Sequence, residues 1–454
     1  MGIVKEIDKK SCLILGFGRE GLSTYQYIRQ ILPLKKLVVA DGNINLDCSQ
    51  YANDSNLTFI LGDSYLEAIH DFELVIKSPG VSLQHFEVKE TTKISSQTDI
   101  FLQLYGNQTI GITGTKGKST TTSLIFHLLK KQQKPILLAG NMGIPLFNIV
   151  DKITPDTFIV CEFSSHQLEY LTQGPHIAIF LNLFEEHLDH YKSYLHYQLA
   201  KLNIAIKQNS HDYFIYNSDD EAITKLINTF EIQSVKLPFS STHELSEGIY
   251  LKSPTTISAP SIDNQFITLN EDLPLKGEHN KKNIMAGSLV AMLLGVSAID
   301  IENGLKTFAP LPHRLEYIGN VKGIEFYNDS ISTIPQATIE ALNTLPKTET
   351  LILGGFDRGI DYSVLIDHLA AHPVSNLIFT GEAGKRMMEM VKNNSKIQSK
   401  IFFETEYEAI VDIAFRVTTP GNICLLSPAA SSYDRFKNFE YRGDFFRQLI
   451  FFHK

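Results

Sequence analysis

Two glycines followed by a lysine and a hydroxyl residue, in Gly114-Thr-Lys-Gly-Lys-Ser-Thr120, are residue types that hold a nucleotide phosphate. Gly114 and Gly117 lack the Cβ atoms that would keep the backbone from wrapping an anion, so several N–H groups and a helix N-terminus can converge on it. Lys118 supplies a cation. Ser119, the first hydroxyl after it, is placed to ligate a Mg²⁺ ion bridging phosphates, and Thr115, Lys116 and Thr120 complete the same stretch. The run departs from G-x-x-x-x-G-K-[ST], because Ile112 stands where that pattern has glycine, and a plain strand-to-helix turn would also use glycines. The flanks favour phosphate. Thr109-Ile-Gly-Ile-Thr113 alternates β-branched and small residues like a short buried strand, and Leu124, Ile125, Leu128 and Leu129 recur at helical spacing.

A second glycine cluster lies a hundred residues earlier. Ser11-Cys-Leu-Ile-Leu15 reads as a strand running into Gly16-Phe-Gly-Arg-Glu-Gly21, followed by a helix with Leu22, Tyr25 and Ile28 and by a strand, Leu37-Val-Val-Ala40. Asp41 follows Gly21 by twenty residues, where an acidic side chain catches a ribose hydroxyl in a dinucleotide fold. Two nucleotide fingerprints in one chain point to two different nucleotides, one of them part of the substrate. A nicotinamide or flavin oxidoreductase built on Gly16–Gly21 is the competing reading.

Further polar residues collect where strands end. Phe158-Ile-Val-Cys161 leads into Glu162-Phe-Ser-Ser-His-Gln-Leu168, and Ala178-Ile-Phe-Leu181 into Asn182-Leu-Phe-Glu-Glu-His-Leu-Asp-His190. In open α/β sheets that edge is where ligands bind. Ser119 and Glu162 offer hard oxygen and His187 an imidazole for Mg²⁺. His187 and His190, three apart, also suit zinc, although no third soft ligand is near, and structural histidines are the plain alternative. Lys201 sits within the apolar run of a helix expected over 191–209, where a lysine ordinarily snorkels to solvent.

These residues need a large scaffold. At 454 residues with 43% hydrophobic and 20% charged composition, the chain suits about three domains on a prior of roughly 150 residues each. The expected fold class is α/β: a Rossmann-like domain over 1–98, a central P-loop ATPase domain with a parallel sheet over 99–310, and a Rossmann-like α/β domain over 311–454. Residues 231–272, rich in Ser, Thr and Pro, read as a small β excursion or insertion in which no function is found, and Pro310-Leu-Pro312 as a hinge. Strands are expected at 136–139, 324–327, 350–353, 376–379 and 422–426 and over 73–80, the last ending in a turn, and Leu275–Asn280 introduces a helical segment through Leu294. A net charge of −9 argues against a nucleic-acid partner. Four scattered cysteines without a C-x-x-C pair fit a reducing compartment, and no apolar run approaches the roughly 20 residues that cross a bilayer. A cytoplasmic protein with no membrane partner is expected.

Taken in order, Gly114–Thr120, Gly140-Asn-Met-Gly143, Glu162–Leu168, Glu186-His-Leu-Asp189, Gly277-Glu-His-Asn280, His313-Arg314, Asn328-Asp-Ser330, Gly354-Gly-Phe-Asp-Arg-Gly359 and Ser427–Phe439 resemble the Mur ligase family over nearly the whole chain. The closing run, continuing Glu440-Tyr-Arg-Gly443, is most similar to its glutamate-adding members. The resemblance implies an ATP-dependent ligase of peptidoglycan precursor synthesis, acting as a monomer on UDP-N-acetylmuramoyl-L-alanine, glutamate and ATP. By that resemblance Lys118 grips the ATP phosphates, Ser119 holds one Mg²⁺, and Glu162 and His187 hold a second with Lys201 as its carbamate. Asn141 and Asn280 would face adenine, and Arg314 and Asp329 the ribose or phosphates. Gly16, Gly18, Arg19, Gly21 and Asp41 would hold uridine and diphosphate, and Thr333, Arg358, Ser432 and the backbone at Phe439 the glutamate carboxylates. Where the D-glutamate enzymes typically read Asn-Asp-Ser-Lys-Ala-Thr, this chain reads Asn328-Asp-Ser-Ile-Ser-Thr333, so Ile331 replaces a basic residue. That departure keeps an L-glutamate-adding branch as an alternative. Folylpolyglutamate synthase and a nucleotide-gated binding protein are the remaining ones.

Overall fold

The computed structural model describes residues 2–453 except Lys131, 187–189 and Glu271. The chain divides into two compact units, one formed by residues 1–273 and 279–308, the other by 274–278 and 309–454. The first unit holds two sheets and the second holds one.

The first sheet contains β1 (Cys12–Leu15), β2 (Leu37–Asp41), β3 (Leu57–Leu61), β4 (Leu74–Lys77) and β5 (Lys93–Ser95), ordered β3-β2-β1-β4-β5 and parallel throughout. Strands β1 and β4 are buried along their whole length, as expected for strands covered on both faces. The chain leaves β1 toward β2 on one side, while β4 lies on the other. This topological switch opens a crevice at the carboxyl ends of β1 and β4.

The second sheet runs β14-β13-β12-β11-β10-β9-β6-β8-β7, from β6 (Thr109–Thr113), β7 (Ile136–Gly140), β8 (Phe158–Glu162), β9 (Ile177–Phe180), β10 (Tyr213–Asn217), β11 (Val235–Ser240), β12 (Ile249–Ser253), β13 (Thr256–Ala259) and β14 (Gln265–Thr268). The β strands expected within residues 231–272 form one edge of this same sheet. Strand β11 pairs in parallel with β10 and β12 in parallel with β11, and β13 and β14 then add an antiparallel edge to the same sheet. Central β6 is wholly buried, and the helix Lys118–Leu129 after it covers the sheet with Leu124, Ile125, Leu128 and Leu129. Each such side chain stabilises the fold by roughly 1.5–3 kcal/mol. One apolar cluster containing Ile14, Val39, Phe163, Phe180 and Tyr197 runs through both sheets.

In the second unit the order is β15-β16-β20-β17-β18-β19, from β15 (Glu316–Val321), β16 (Ile324–Asn328), β17 (Thr348–Gly354), β18 (Asn376–Thr380), β19 (Lys400–Phe403) and β20 (Ile423–Leu426). Only the β15–β16 pair is antiparallel. Both edge strands, β15 and β19, lie outside the strands expected here. Each is only partly buried, so its apolar alternation is weak. Among the described residues no helix is long and apolar enough to cross a membrane.

Candidate active site

Gly16 takes φ +86°, and a Cβ on Gly21 would lie 2.0 Å from the Gly16 carbonyl oxygen, so the helix Arg19–Ile31 can approach β1 only with glycine there. Ser78, just after β4, donates its hydroxyl to that same carbonyl at 2.7 Å. Asp41 accepts from the Phe17 N–H at 2.6 Å and the Asn43 N–H at 2.8 Å. Its carboxylate thus fixes the glycine loop as well as bordering the crevice. The crevice is a cavity of about 550 Å³ lined by Gly16, Gly18, Arg19, Asp41, Ser78 and Gly80 among others, and Arg19 reaches across to the Gly143 carbonyl at 3.3 Å.

The second glycine loop closes the end of β6. Gly114 has φ +152° and Gly117, at the N-cap of the following helix, φ +82°. Lys118 curls over the loop, its Nζ donating to the Gly114 and Thr115 carbonyls at 3.0 Å each, and Ser119 follows it in the first helical turn. The adjacent β9 end pins the loop. Thr115 N–H donates to the Asn182 carbonyl at 3.0 Å, and the Asn182 side chain accepts from the Lys116 N–H and donates to the Lys116 carbonyl. Thr115 Oγ1 lies 3.0 Å from the Tyr197 hydroxyl, and Lys116 pairs with Glu186 at 2.7 Å. Asn283, which sequence reasoning missed, supports the loop from behind. Its Oδ1 accepts from Thr121 at 3.2 Å, and its Nδ2 donates to Asn280 at 2.9 Å.

Beside the loop, Glu162 ends β8 almost fully buried. Its Oε1 accepts from Asn141 Nδ2 at 2.7 Å, whereas Oε2 is buried without a hydrogen-bond partner among the described residues. Asn141, expected to face adenine, donates this bond and so orients Glu162. Lys201 does not snorkel. Only 2% exposed, it donates to the Gly114 carbonyl at 2.9 Å and sits over the Tyr197 ring. Its helix, Tyr194–Ile206, is shorter than expected because Ser193 caps it. Burial, and next the charge of Lys118, hold its amine well below the usual lysine range. A cavity of about 260 Å³ is lined by Lys118, Asn141, His166, Glu186, Lys201 and neighbours, with Pro79 and Gly80 common to this cavity and the larger one.

His187 lies outside the described residues. His190 lies 3.5 Å from Glu169, which also pairs with buried Lys77 at 3.4 Å. Among the described residues no three His, Cys, Asp or Glu side chains gather as a metal site. The donors present are nevertheless hard. A buried carboxylate oxygen without a partner, close in the fold to a serine at a phosphate-type loop, fits Mg²⁺ better than zinc.

The remaining expected residues belong to the second unit. Buried Asp329 accepts from Ser332, Ser427 and the Leu315 N–H, and burial pushes its carboxyl up to about 6 despite those bonds. Arg358 donates to the Thr333 carbonyl at 2.9 Å, so these two are together. Ser330 donates to the Phe439 carbonyl at 2.8 Å, and the Ser432 carbonyl receives the Arg435 and Phe436 N–H groups. Arg442 was missed in sequence. Only 1% exposed, it fans its guanidinium onto Ser330, Ala430 and Ser431, tying the turn after β16 to the turn after β20. Arg314 begins that unit's first turns, its N–H donating to the Leu311 carbonyl.

Comparison with known proteins accords with this arrangement. Residues 112–291 match the Mur ligase middle domain, and residues 313–430 match the Mur ligase, glutamate ligase domain. A UDP-N-acetylmuramoylalanine--D-glutamate ligase of Oceanobacillus iheyensis is 33% identical over 99% of this chain and 99% of its own. One of Thermoanaerobacter sp. (strain X514) is 32% identical over 98% and 99%. Among solved structures, a UDP-N-acetylmuramate-alanine ligase of Thermotoga maritima superposes with TM-score 0.60 at 17% identity, covering 98% of this chain and 100% of that one. The MurF ligase of Thermotoga maritima in complex with ADP gives TM-score 0.58 at 17% identity, covering 99% and 97%. At such identity these two speak for the fold alone.

Proposed function

This chain belongs to the Mur ligase family, ATP-dependent enzymes that form amide bonds, and on that premise we propose that it joins D-glutamate to the alanyl carboxylate of UDP-N-acetylmuramoyl-L-alanine. The observation that carries the reading is the sharing of Pro79, Gly80 and Asn141 by the two cavities. A nucleotide-sugar held at Gly16, Gly18, Arg19, Gly21 and Asp41 can extend its peptide acid past them to Lys118.

A carboxylate is a poor electrophile because its leaving group would be oxide. Transfer of the γ-phosphoryl group of ATP to the alanyl carboxylate gives an acyl phosphate and ADP. The glutamate amine then attacks the acyl carbon, loses a proton, and phosphate departs. Lys118 and the loop N–H groups of Gly114–Ser119 stabilise charge on the transferring oxygens, the dominant requirement of phosphoryl transfer. Ser119, Glu162 and Lys201 as its carbamate would hold Mg²⁺, which supplies further neutralisation of the phosphates. The amine that adds to CO2 must be neutral, and the depressed affinity of Lys201 for protons favours that form. Arg358 and Thr333, already in contact, would receive a glutamate carboxylate with Ser432 and the Phe439 backbone. Asn280, Arg314 and Asp329 would complete the ATP site.

Ile331 favours a second reading, L-glutamate as the amine, because a cation expected beside the reacting groups is missing. The test is ATP-dependent phosphate release with the alanyl nucleotide and each enantiomer in turn. Turnover with D-glutamate supports the first reading, turnover restricted to L-glutamate replaces it with the second, and no turnover with either overturns both.

A further inference from the structure

The strands that open onto the larger cavity lie in the order β3-β2-β1-β4 and are all parallel, so their carboxyl ends share one edge. The residues leaving those ends therefore line up along the crevice: Tyr65 after β3, Asp41 and Gly42 at the end of β2, the Gly16–Gly21 loop after β1, and Ser78-Pro-Gly80 after β4. A nucleotide-sugar has its parts in a fixed order of base, ribose, diphosphate and sugar. With the diphosphate on the glycine loop and the peptide acid leaving past Pro79 and Gly80, the base falls at the end that Tyr65 closes.

Among the described residues Tyr65 is the one aromatic side chain lining this cavity. Its place is set by the backbone and by the core. The Gly62 N–H donates to the Asp41 carbonyl at 3.0 Å and the Tyr65 N–H to the Gly62 carbonyl at 3.0 Å, which ties the turn after β3 to the end of β2. Tyr65 opens the short helical turn Tyr65–Asp71, and its half-buried side chain packs against an apolar cluster that includes Leu15, Ala68 and Ile69. On the other flank a Cβ at Gly42 would lie 3.2 Å from ring Cε1, and the three atoms nearest to it all belong to the ring. A bare backbone at residue 42 thus lets the ring stand this close to Asp41. The rest of the lining, mostly glycines with Ser78, Asn141 and Arg19, offers a planar base no comparable face.

We propose that the Tyr65 ring is the platform on which the base of the nucleotide-sugar stacks, with Gly42 left bare to hold the ring beside the ribose position. The inference rests on the nucleotide-sugar reading above and adds to it the residue that receives the base. An aromatic face already held by the core gives up little side-chain freedom when a base covers it, so the contact costs little ordering. Stacking tolerates every base, because each has a π-face. Tyr65 therefore supplies affinity and orientation, and the edge of the base is left to other groups.

The test uses the whole protein with UDP-N-acetylmuramoyl-L-alanine and no ATP. Titration calorimetry gives the dissociation constant for the natural protein, Tyr65→Phe and Tyr65→Leu, and proton magnetic resonance follows uracil H5 and H6 of the nucleotide. A base lying over an aromatic face has these protons moved upfield by the ring current. The natural protein and Tyr65→Phe are expected to bind alike and to shift both resonances upfield. Tyr65→Leu is expected to bind roughly 5- to 20-fold more weakly, the lower part of the range for loss of a base–aromatic stack because leucine keeps some apolar surface, and to lose the upfield shift. The resonances of the natural complex decide the matter even where the leucine variant folds poorly. Unshifted uracil protons in that complex, equal affinity of Tyr65→Leu, or a phenylalanine variant as weak as the leucine one would overturn the proposal. Failure of the natural protein to bind the nucleotide at all would instead overturn the nucleotide-sugar reading beneath it.

Discussion

Replacing Gly117 by alanine tests the phosphate loop most directly, because the structure supplies two separable costs. The backbone there has φ +82°, a conformation that costs an L side chain roughly 1–2 kcal/mol. The added Cβ would also lie 2.5 Å from Asn283 Oδ1, so that amide must retreat by about 0.5 Å to reach the 3.0 Å below which real Cβ contacts essentially never fall. Retreat strains the bonds Asn283 makes to Thr121 and Asn280, a loss of about 1 kcal/mol. The sum, about 2–3 kcal/mol, falls on the loop proposed to cradle ATP and corresponds to roughly 30- to 150-fold in affinity. The assay is the KM for ATP in phosphate release, run beside denaturant unfolding of the same proteins. In an Asn283→Ala background the overlap is gone, so Gly117→Ala should cost only the backbone strain, a coupling of about 1 kcal/mol. A KM for ATP within about twofold of the natural value would refute the reasoning, as would strict additivity of the two substitutions.

Glu162→Gln keeps the Asn141 hydrogen bond and the side-chain volume but removes the anionic oxygen, so the protein should stay folded while kcat falls roughly 100-fold or more and the Mg²⁺ concentration for half-maximal rate rises. Lys201→Met should abolish turnover, and activity of the natural protein should drop in CO2-free buffer and recover on adding bicarbonate; indifference to bicarbonate would remove the carbamate. Arg358→Lys loses the planar fork, and the KM for glutamate should rise roughly tenfold with that for ATP unchanged. Asp329 has its carboxyl raised from 3.8 to about 6, so the folded state binds more protons than the unfolded one between those values. Its contribution to stability is therefore present below about pH 4 and declines as pH rises toward about 6, and Asp329→Asn should flatten that part of the unfolding-midpoint profile.

Much of the scaffold was legible in the chain because its causes are local. The turns at Gly114, Gly117 and Gly16 need positive φ, which only glycine adopts freely, and buried strands such as β1 and β6 write themselves as short apolar or β-branched runs. Edge strands β15 and β19 escaped, since a half-exposed edge has little apolar periodicity to read. For the same reason residues 231–272 looked like an insertion, although β11 continues the main sheet.

The order of the glycine, lysine and serine residues was enough to place one glycine loop after β6 and another glycine turn after β1, because backbone sterics act between neighbours. Only the tertiary structure decided what faces those loops. Lys201 turns inward to a carbonyl 87 residues away, Glu20 meets Gln167 across 147, and Arg442 ties Ser330 to Ser431 across 112 and 11. Such contacts depend on which strands lie side by side and how deeply they bury a charge. Burial then sets whether that charge survives.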